Sequence, residues 1–246
     1  MSADVVRLNV PGRRDAPGPG QTRRLLKDDA YSKIREHLLE AGSEEACSER
    51  ALAARLDLGL GPVRSALERL RAEGLIVVAA NSGIRLPEIT SREILDFYEL
   101  RMVIECQVVA SIAGSLSADQ ARTIDKILLE QEAAAASGDT VRYHQLDLEF
   151  HAALAACHAN AEMENALGRL RDKMYRLARR MHGAHPERLA VNAAQHRGIF
   201  DAVREGNAEK AHSRMKTHLD WGRRFTLDPD RRLGSDWQRL GDDTDM

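Results

Sequence analysis

The chain has 246 residues, enough for two modest domains. Aromatic residues make up only 4%, and the formal net charge of −2 excludes a globally basic nucleic-acid binder, so any nucleic-acid surface must be local. The three cysteines, Cys47, Cys106 and Cys157, are far apart and odd in number, which excludes a disulfide framework or zinc ribbon and fits a reducing cytoplasm. No apolar run approaches the roughly 18 residues of a membrane-spanning helix, and no hydrophobic leader core opens the chain. The expectation is a soluble, cytoplasmic, mainly α protein with no membrane partner.

Residues 1–24 carry Pro11, Gly12, Pro17, Gly18, Pro19 and Gly20 among scattered arginines, the composition of a disordered tail. From Asp29 the pattern changes. Ala30, Ile34, Leu38 and Leu39 recur at helical spacing, and Gly42 ends the run. Ser48 is placed to cap a short helix through Leu52 and Leu56. A turn follows over Asp57 to Gly61, and Pro62 suits the first turn of the next helix. That helix carries Val63, Ala66, Leu67 and Leu70 and stops at Gly74. Leu75 to Val78 is β-prone, Asn81-Ser82-Gly83 is a turn, and Ile84-Arg85-Leu86 can return as the second strand. Residues 25–88 therefore predict a winged helix-turn-helix, whose third helix carries Arg64, Arg69 and Arg71 and would enter the major groove of double-stranded DNA.

After Pro87 the spacing predicts about six helices and no strand. The first runs from Ser91 to about Gly114. Ser117 and Gln120 form a capping box for the second, which reaches Ser137. Asp139 caps the third. A basic helix covers about 161–182, another runs from near Pro186 to Glu205, and Gly206-Asn207 separates the last, which ends near Phe225. Residues 89–227 thus form an all-helical bundle, and 228–246 read as a flexible tail in which Trp237 could dock.

The third helix of this bundle carries the most informative pair. Asp147 and His151 stand four residues apart, so their side chains share one helical face. A carboxylate and an imidazole so placed can bind one metal ion. His196 and His218 lie on later helices beside core-type positions and can complete a nitrogen and oxygen ligand set. His144 and His158 share the azimuth of His151, and spacing alone does not separate them. Asn192, one turn before His196, could line the same pocket. Glu149 points away from Asp147, so no second catalytic group is evident. A metal-dependent helical-bundle enzyme is the alternative function, as is a protein- or RNA-interaction module built on the arginines of residues 161–182.

The chain resembles the GntR family of bacterial transcription regulators, in the FadR-like subgroup with a C-terminal FCD ligand-binding domain. The likeness covers about 25–226. It is carried by Ser48-Glu49-Arg50-Ala51-Leu52, Pro62-Val63-Arg64, Glu73-Gly74-Leu75 and wing Gly83. It continues in Glu99-Leu100-Arg101 with Glu105, Asp147 with Phe150-His151, His196 with Ile199, and His218-Leu219. The resemblance implies a homodimeric DNA-binding transcription regulator, more often a repressor, that responds to a small organic acid. It implies a divalent metal held by Asp147, His151, His196 and His218, zinc first, with nickel or manganese as alternatives. It also implies an effector contact at Arg101, for which a salt bridge to Glu105 is an equal alternative, and operator contacts at Arg50 and Arg64. One departure stands out. Gly59-Leu60-Gly61 replaces the usual Ser-Arg-Thr, so Leu60 stands where an operator-reading arginine is common. Losing one such contact costs roughly 1–3 kcal/mol of base discrimination.

Overall fold

The computed structural model describes residues 19–41, 47–79, 83–183 and 185–231 and divides into two compact units, with the boundary between Pro87 and Glu88. Among the described residues there are nine α-helices and one two-stranded sheet.

In the first unit, α1 spans Pro19–Ala41, α2 Glu49–Arg55 and α3 Leu60–Ala72, followed by β1 (Val77–Ala79) and β2 (Gly83–Arg85). Helix α1 opens at Pro19, inside the stretch expected to be a tail, and not near Asp29. Proline is tolerated in a first helical turn, and Gln21, Arg23, Arg24, Leu25, Leu26 and Lys27 are helix-favouring types, so the helix outruns its apolar stripe. Periodicity marks the buried face rather than the helix end. Ser48 caps α2 by accepting from the Ala51 N–H. Helix α3 begins at Leu60, which moves Leu60 and Gly61 from the expected turn into its first turn alongside Pro62, where an N–H lacks an intrahelical acceptor in any case. Gly74, at φ 74°, ends it as expected. The unit closes around Ile34 and Leu38 of α1, Leu52 of α2, Val63 and Leu70 of α3, and Ile76, Ile84 and Leu86.

The wing pairs Val77 with Arg85, Val78 with Ile84 and Ala79 with Gly83 in antiparallel register. Asn81 and Ser82 of the expected turn lie outside the described residues. Cys47 adds a β-bridge, exchanging backbone hydrogen bonds with Ile84 at 2.8 and 3.1 Å. Gly83 sits against this bridge at φ 73°, and a Cβ there would lie 2.7 Å from the Cys47 carbonyl oxygen.

The second unit consists of α4 (Ser91–Ile112), α5 (Ala118–Ser137), α6 (Thr140–His158), α7 (Ala161–His182), α8 (Glu187–Arg204) and α9 (Ala208–Leu227). Side chains cap most of these helices. Ser117 and Gln120 form the expected box, Thr90 and Glu93 form a second, and Asp139, Asn160 and Asn207 each accept from the first turn they precede. Helix α4 packs along α9, α5 and α6 form a hairpin, and α8 lies against both α5 and α9. Tyr143, Leu146 and Phe150 of α6, Ile199 and Phe200 of α8, and Met215 and Leu219 of α9 are fully buried where these helices converge. This places the inward faces of α4, α5, α6, α8 and α9 around one point.

The stretch expected as a flexible tail from Asp228 is held at its start. Buried Arg188 donates to the Met181 carbonyl at 2.6 Å, to the Pro229 carbonyl at 2.8 Å and to the Arg231 carbonyl, and its guanidinium lies 4.3 Å over the Phe225 ring. Residues to Arg231 are therefore clasped to the bundle. Trp237 lies outside the described residues. Among the described residues no helix is long and apolar enough to cross a membrane.

Candidate metal and effector site

Asp147 and His151 project one turn apart from α6 into the bundle, as their spacing requires, and both are buried. His196 of α8 and His218 of α9 meet them there. His151, His196 and His218 each offer a ring nitrogen within 4.8 Å of the other two. The Nε2 atoms of His196 and His218 are 3.3 Å apart, and Asp147 Oδ1 is 3.6 Å from His196 Nε2. Zinc–imidazole bonds of roughly 2.0–2.1 Å put adjacent donors of a tetrahedral ion roughly 3.3–3.4 Å apart. The four residues suit a divalent ion in donor type, and the His196–His218 and Asp147–His196 separations match that spacing.

The outer contacts orient these donors. His196 Nδ1 lies 2.8 Å from Gln131 Oε1, and His218 Nδ1 lies 3.0 Å from Gln195 Oε1. An amide oxygen only accepts, so both Nδ1 atoms carry the ring proton and both Nε2 atoms present lone pairs. Two lone pairs facing each other at 3.3 Å is the arrangement that a shared cation relieves. His151 Nδ1 stands 2.5 Å from Glu105 Oε2, within ion-pair distance but out of line for a good hydrogen bond. Phe150 stacks on the His196 ring at a centroid distance of 4.4 Å, and His151 stacks on His218 at 5.3 Å, which fixes the ring planes.

The electrostatics suit metal binding. Burial, followed by the neighbouring imidazoles and Arg101, pushes His196 and His218 well below the ordinary histidine range, so both are neutral near pH 7. Burial raises the Asp147 carboxyl, and His151 and Arg101 pull it partly back. Burial also opposes charge on Glu105, but the adjacent Arg101 guanidinium and His151 hold its carboxyl well below the usual range.

Arg101 makes the ion pair with Glu105 that its spacing allows. Its Nε donates to Glu105 Oε1 at 2.5 Å, and it also lines a cavity with Phe97, Tyr98, Asp147, His151 and Asn192. Its Nη2 lies 3.1 Å from His151 Nε2. Asn192 sits on the same wall, its Oδ1 accepting from the Tyr143 hydroxyl at 2.9 Å. The cavity volume is about 20 Å³, room for roughly one water molecule. Met174 and Met181 also line it, and thioether side chains reshape easily.

The histidine series on α6 splits. His151 joins the site, while His144 Nε2 meets His182 Nδ1 of α7 at 3.1 Å in a separate stacked pair. His158 is half-buried at the end of α6. Sequence reasoning passed over Gln131, Gln195 and His182, since their partners lie 65, 23 and 38 residues away. Glu105 appeared only as a partner for Arg101.

In the first unit Arg50, Arg64 and Leu60 are exposed around α2 and α3. Arg64 Nε is paired with Glu49 Oε2 at 2.9 Å. Arg69 is held by Glu73 and lies over the Tyr31 ring at 3.9 Å, so it braces α1 against α3. The arginines of α7 form no single face. Arg169, Arg171 and Arg180 are exposed, whereas Arg176 and Arg179 are half-buried.

Two family profiles match the chain. Residues 26–86 match "Bacterial regulatory proteins, gntR family", and residues 96–220 match the FCD domain. A helix-turn-helix-type transcriptional regulator from an unstable DNA locus of Streptomyces ambofaciens is 30% identical over 80% of this chain and 83% of its own length. The transcriptional repressor GlaR of Escherichia coli is 25% identical over 78% of this chain and 91% of its own length. Among solved structures, Escherichia coli McbR/YncC superposes with a TM-score of 0.73 at 18% identity, covering 84% of this chain and 99% of that one, a likeness of fold.

Proposed function

The chain belongs to the gntR family of bacterial regulatory proteins and carries an FCD domain, so it is a transcription regulator and not an enzyme, and we propose that its helical unit binds one divalent metal ion and one small carboxylate whose binding alters operator occupancy. The observation that carries this reading is the convergence of three imidazoles and one carboxylate from three helices. Asp147, His151, His196 and His218 would hold the ion, with zinc the best match to the donor spacing and nickel or manganese tolerated by the same ligands. When bound, the ion supplies a fixed positive charge that attracts a carboxylate or hydroxyl oxygen.

Charge counting favours an acid as effector. Metal ligands bind as neutral imidazoles and ionised carboxylates, so Arg101, Glu105 and Asp147 then sum to one negative charge, and a divalent ion turns this into one positive charge. A single carboxylate balances it. Arg101 and Asn192 on the cavity wall supply the polar contacts that would orient such a group. The winged unit would dock α3 in the major groove of an operator, with Arg50 and Arg64 as cationic contacts and Gly83 in the wing. A homodimer would place two winged units on two half-sites. The exposed Leu95 and Val103 of α4, beside Met102, offer an apolar strip for that association.

Repression relieved by the acid is the sign proposed here, in keeping with relatives named repressors. The mechanism is a population shift, the acid favouring one arrangement of the winged units over another. The test is binding of the purified chain to its own upstream DNA with and without a panel of small organic acids, before and after zinc loading. Specific binding that one acid weakens is expected. Specific binding indifferent to every acid and to zinc refutes the sensing role.

A further inference from the structure

Arginine donates hydrogen bonds and never accepts them. Arg101 Nη2 lies 3.1 Å from His151 Nε2, so that nitrogen is the acceptor. The ring proton of His151 therefore sits on Nδ1, beside Glu105 Oε2 at 2.5 Å. This leaves His151 with a single in-plane lone pair, on Nε2, already engaged by the guanidinium. It is also the only lone pair His151 has for an ion shared with His196 and His218, whose ring nitrogens lie within 4.8 Å. A guanidinium hydrogen and a metal ion cannot share it.

We propose that Arg101 and the metal ion compete for the Nε2 lone pair of His151, so that metal loading releases the Nη2 arm of Arg101 to the carboxylate pocket. This rests on the metal reading given above. Glu105 keeps Arg101 from leaving. Its Oε1 holds the Arg101 Nε at 2.5 Å, one helical turn away on the same helix, while its Oε2 accepts from Nη2 only at a long 3.4 Å, so the guanidinium pivots about the Nε contact. The pivot is local, because Arg101 already lines the cavity that Asn192 and Tyr98 share. The arginine thus stands in the cation's place on His151 and is redirected when the cation arrives. Metal and acid then bind with positive linkage, each raising the affinity of the other by the same factor.

The test uses the full chain and zinc chloride, with zinc affinity read by competition with a chromophoric chelator. Arg101→Met removes the competitor and should tighten zinc binding roughly tenfold to hundredfold, the range of a charge-assisted hydrogen bond. Arg101→Lys retains the charge but cannot fork to both Glu105 and His151, and it should tighten binding severalfold. In the unaltered chain, the Arg101 side-chain nitrogen and proton resonances should move in step with zinc occupancy. Those of Arg197, held by Asp125 and Glu132 elsewhere on the bundle, should not. Tightening in Arg101→Met with none in Arg101→Lys would reduce the effect to charge repulsion and overturn the competition. Arg101 resonances that stay fixed through zinc saturation overturn it as well, and do so without relying on any variant folding. If the unaltered chain takes up no zinc, nickel or manganese, the metal reading and this inference fall together. If it takes up zinc and Arg101→Met binds no tighter, only the inference falls.

Discussion

Replacing Gln131 by leucine separates the architecture of the fold from that of the site. Gln131 is fully buried on α5; its Oε1 meets His196 Nδ1 at 2.8 Å, while its Nε2 has no partner. Leucine is close in size and removes both amide atoms. The His196 Nδ1 proton is then left without an acceptor, which costs about 1–3 kcal/mol. Removing the unpartnered amide nitrogen recovers a cost of the same order, so net stability should change by no more than about 1 kcal/mol. Metal affinity has no such offset. Without Gln131, nothing keeps the His196 proton on Nδ1, and loss of an outer partner of this kind costs roughly 10–100-fold in metal affinity, about 1.4–2.7 kcal/mol. Gln195→Leu is the matched control. Its Oε1 meets His218 Nδ1 at 3.0 Å, but Gln195 is half-buried, so water can replace it and the loss should stay below about threefold. Zinc affinity by chelator competition, with thermal melts of the chelator-treated proteins, measures both quantities. Equal losses in the two variants, or an unchanged zinc affinity in Gln131→Leu, would refute the tautomer argument.

Three further outcomes follow from other parts of the chain. Gly83→Ala forces a side chain to φ 73° with its Cβ 2.7 Å from the Cys47 carbonyl. It should destabilise the winged unit by at least about 1–2 kcal/mol, read as a lower melting temperature and weaker DNA binding; an unshifted melt would contradict the close approach. Arg50→Ala and Arg64→Ala should each weaken DNA binding across sequences and flatten its salt dependence by about one charge, and a salt slope identical to that of the unaltered chain would remove that residue from the phosphate-contacting surface. The third outcome concerns acid. Burial lowers His144 from 6.5 to about 4, and burial, His144 and Arg188 push its partner His182 well below the usual range. Both are neutral in the fold and protonate in the unfolded chain. Stability is therefore complete above about pH 6.5 and is lost as pH falls through it, with His144 alone accounting for roughly 3 kcal/mol by pH 4. Urea midpoints at pH 7.5 and 5 should differ accordingly; equal midpoints would mean that the pair is not buried as a neutral unit.

Much of the architecture follows from local chemistry, which is why it is legible in the sequence. Ser48, Ser117 with Gln120, Asp139 and Asn207 cap the helices they precede because a short polar side chain satisfies the first-turn N–H groups wherever it stands before an apolar repeat. Gly74 ends α3 because only glycine takes φ 74° without strain. The four-residue step from Asp147 to His151 places both side chains on one face by helical geometry alone. The start of α1 is the exception, since helix-favouring residues extend a helix without leaving an apolar stripe to mark it.

The remainder of the site is long-range. That His196 faces Gln131 while His218 faces Gln195, and that His144 leaves its helical neighbour His151 to pair with His182, depends on which helices pack together. Residues 228–231 are ordered because Arg188, 41 residues before Pro229, finds their carbonyls. A sequence specifies the chemical types of such groups, but not which lone pair faces which proton. Only the packing of helices α4 to α9 decides that, because a buried polar atom takes whatever partner the packed helices bring within about 3 Å of it.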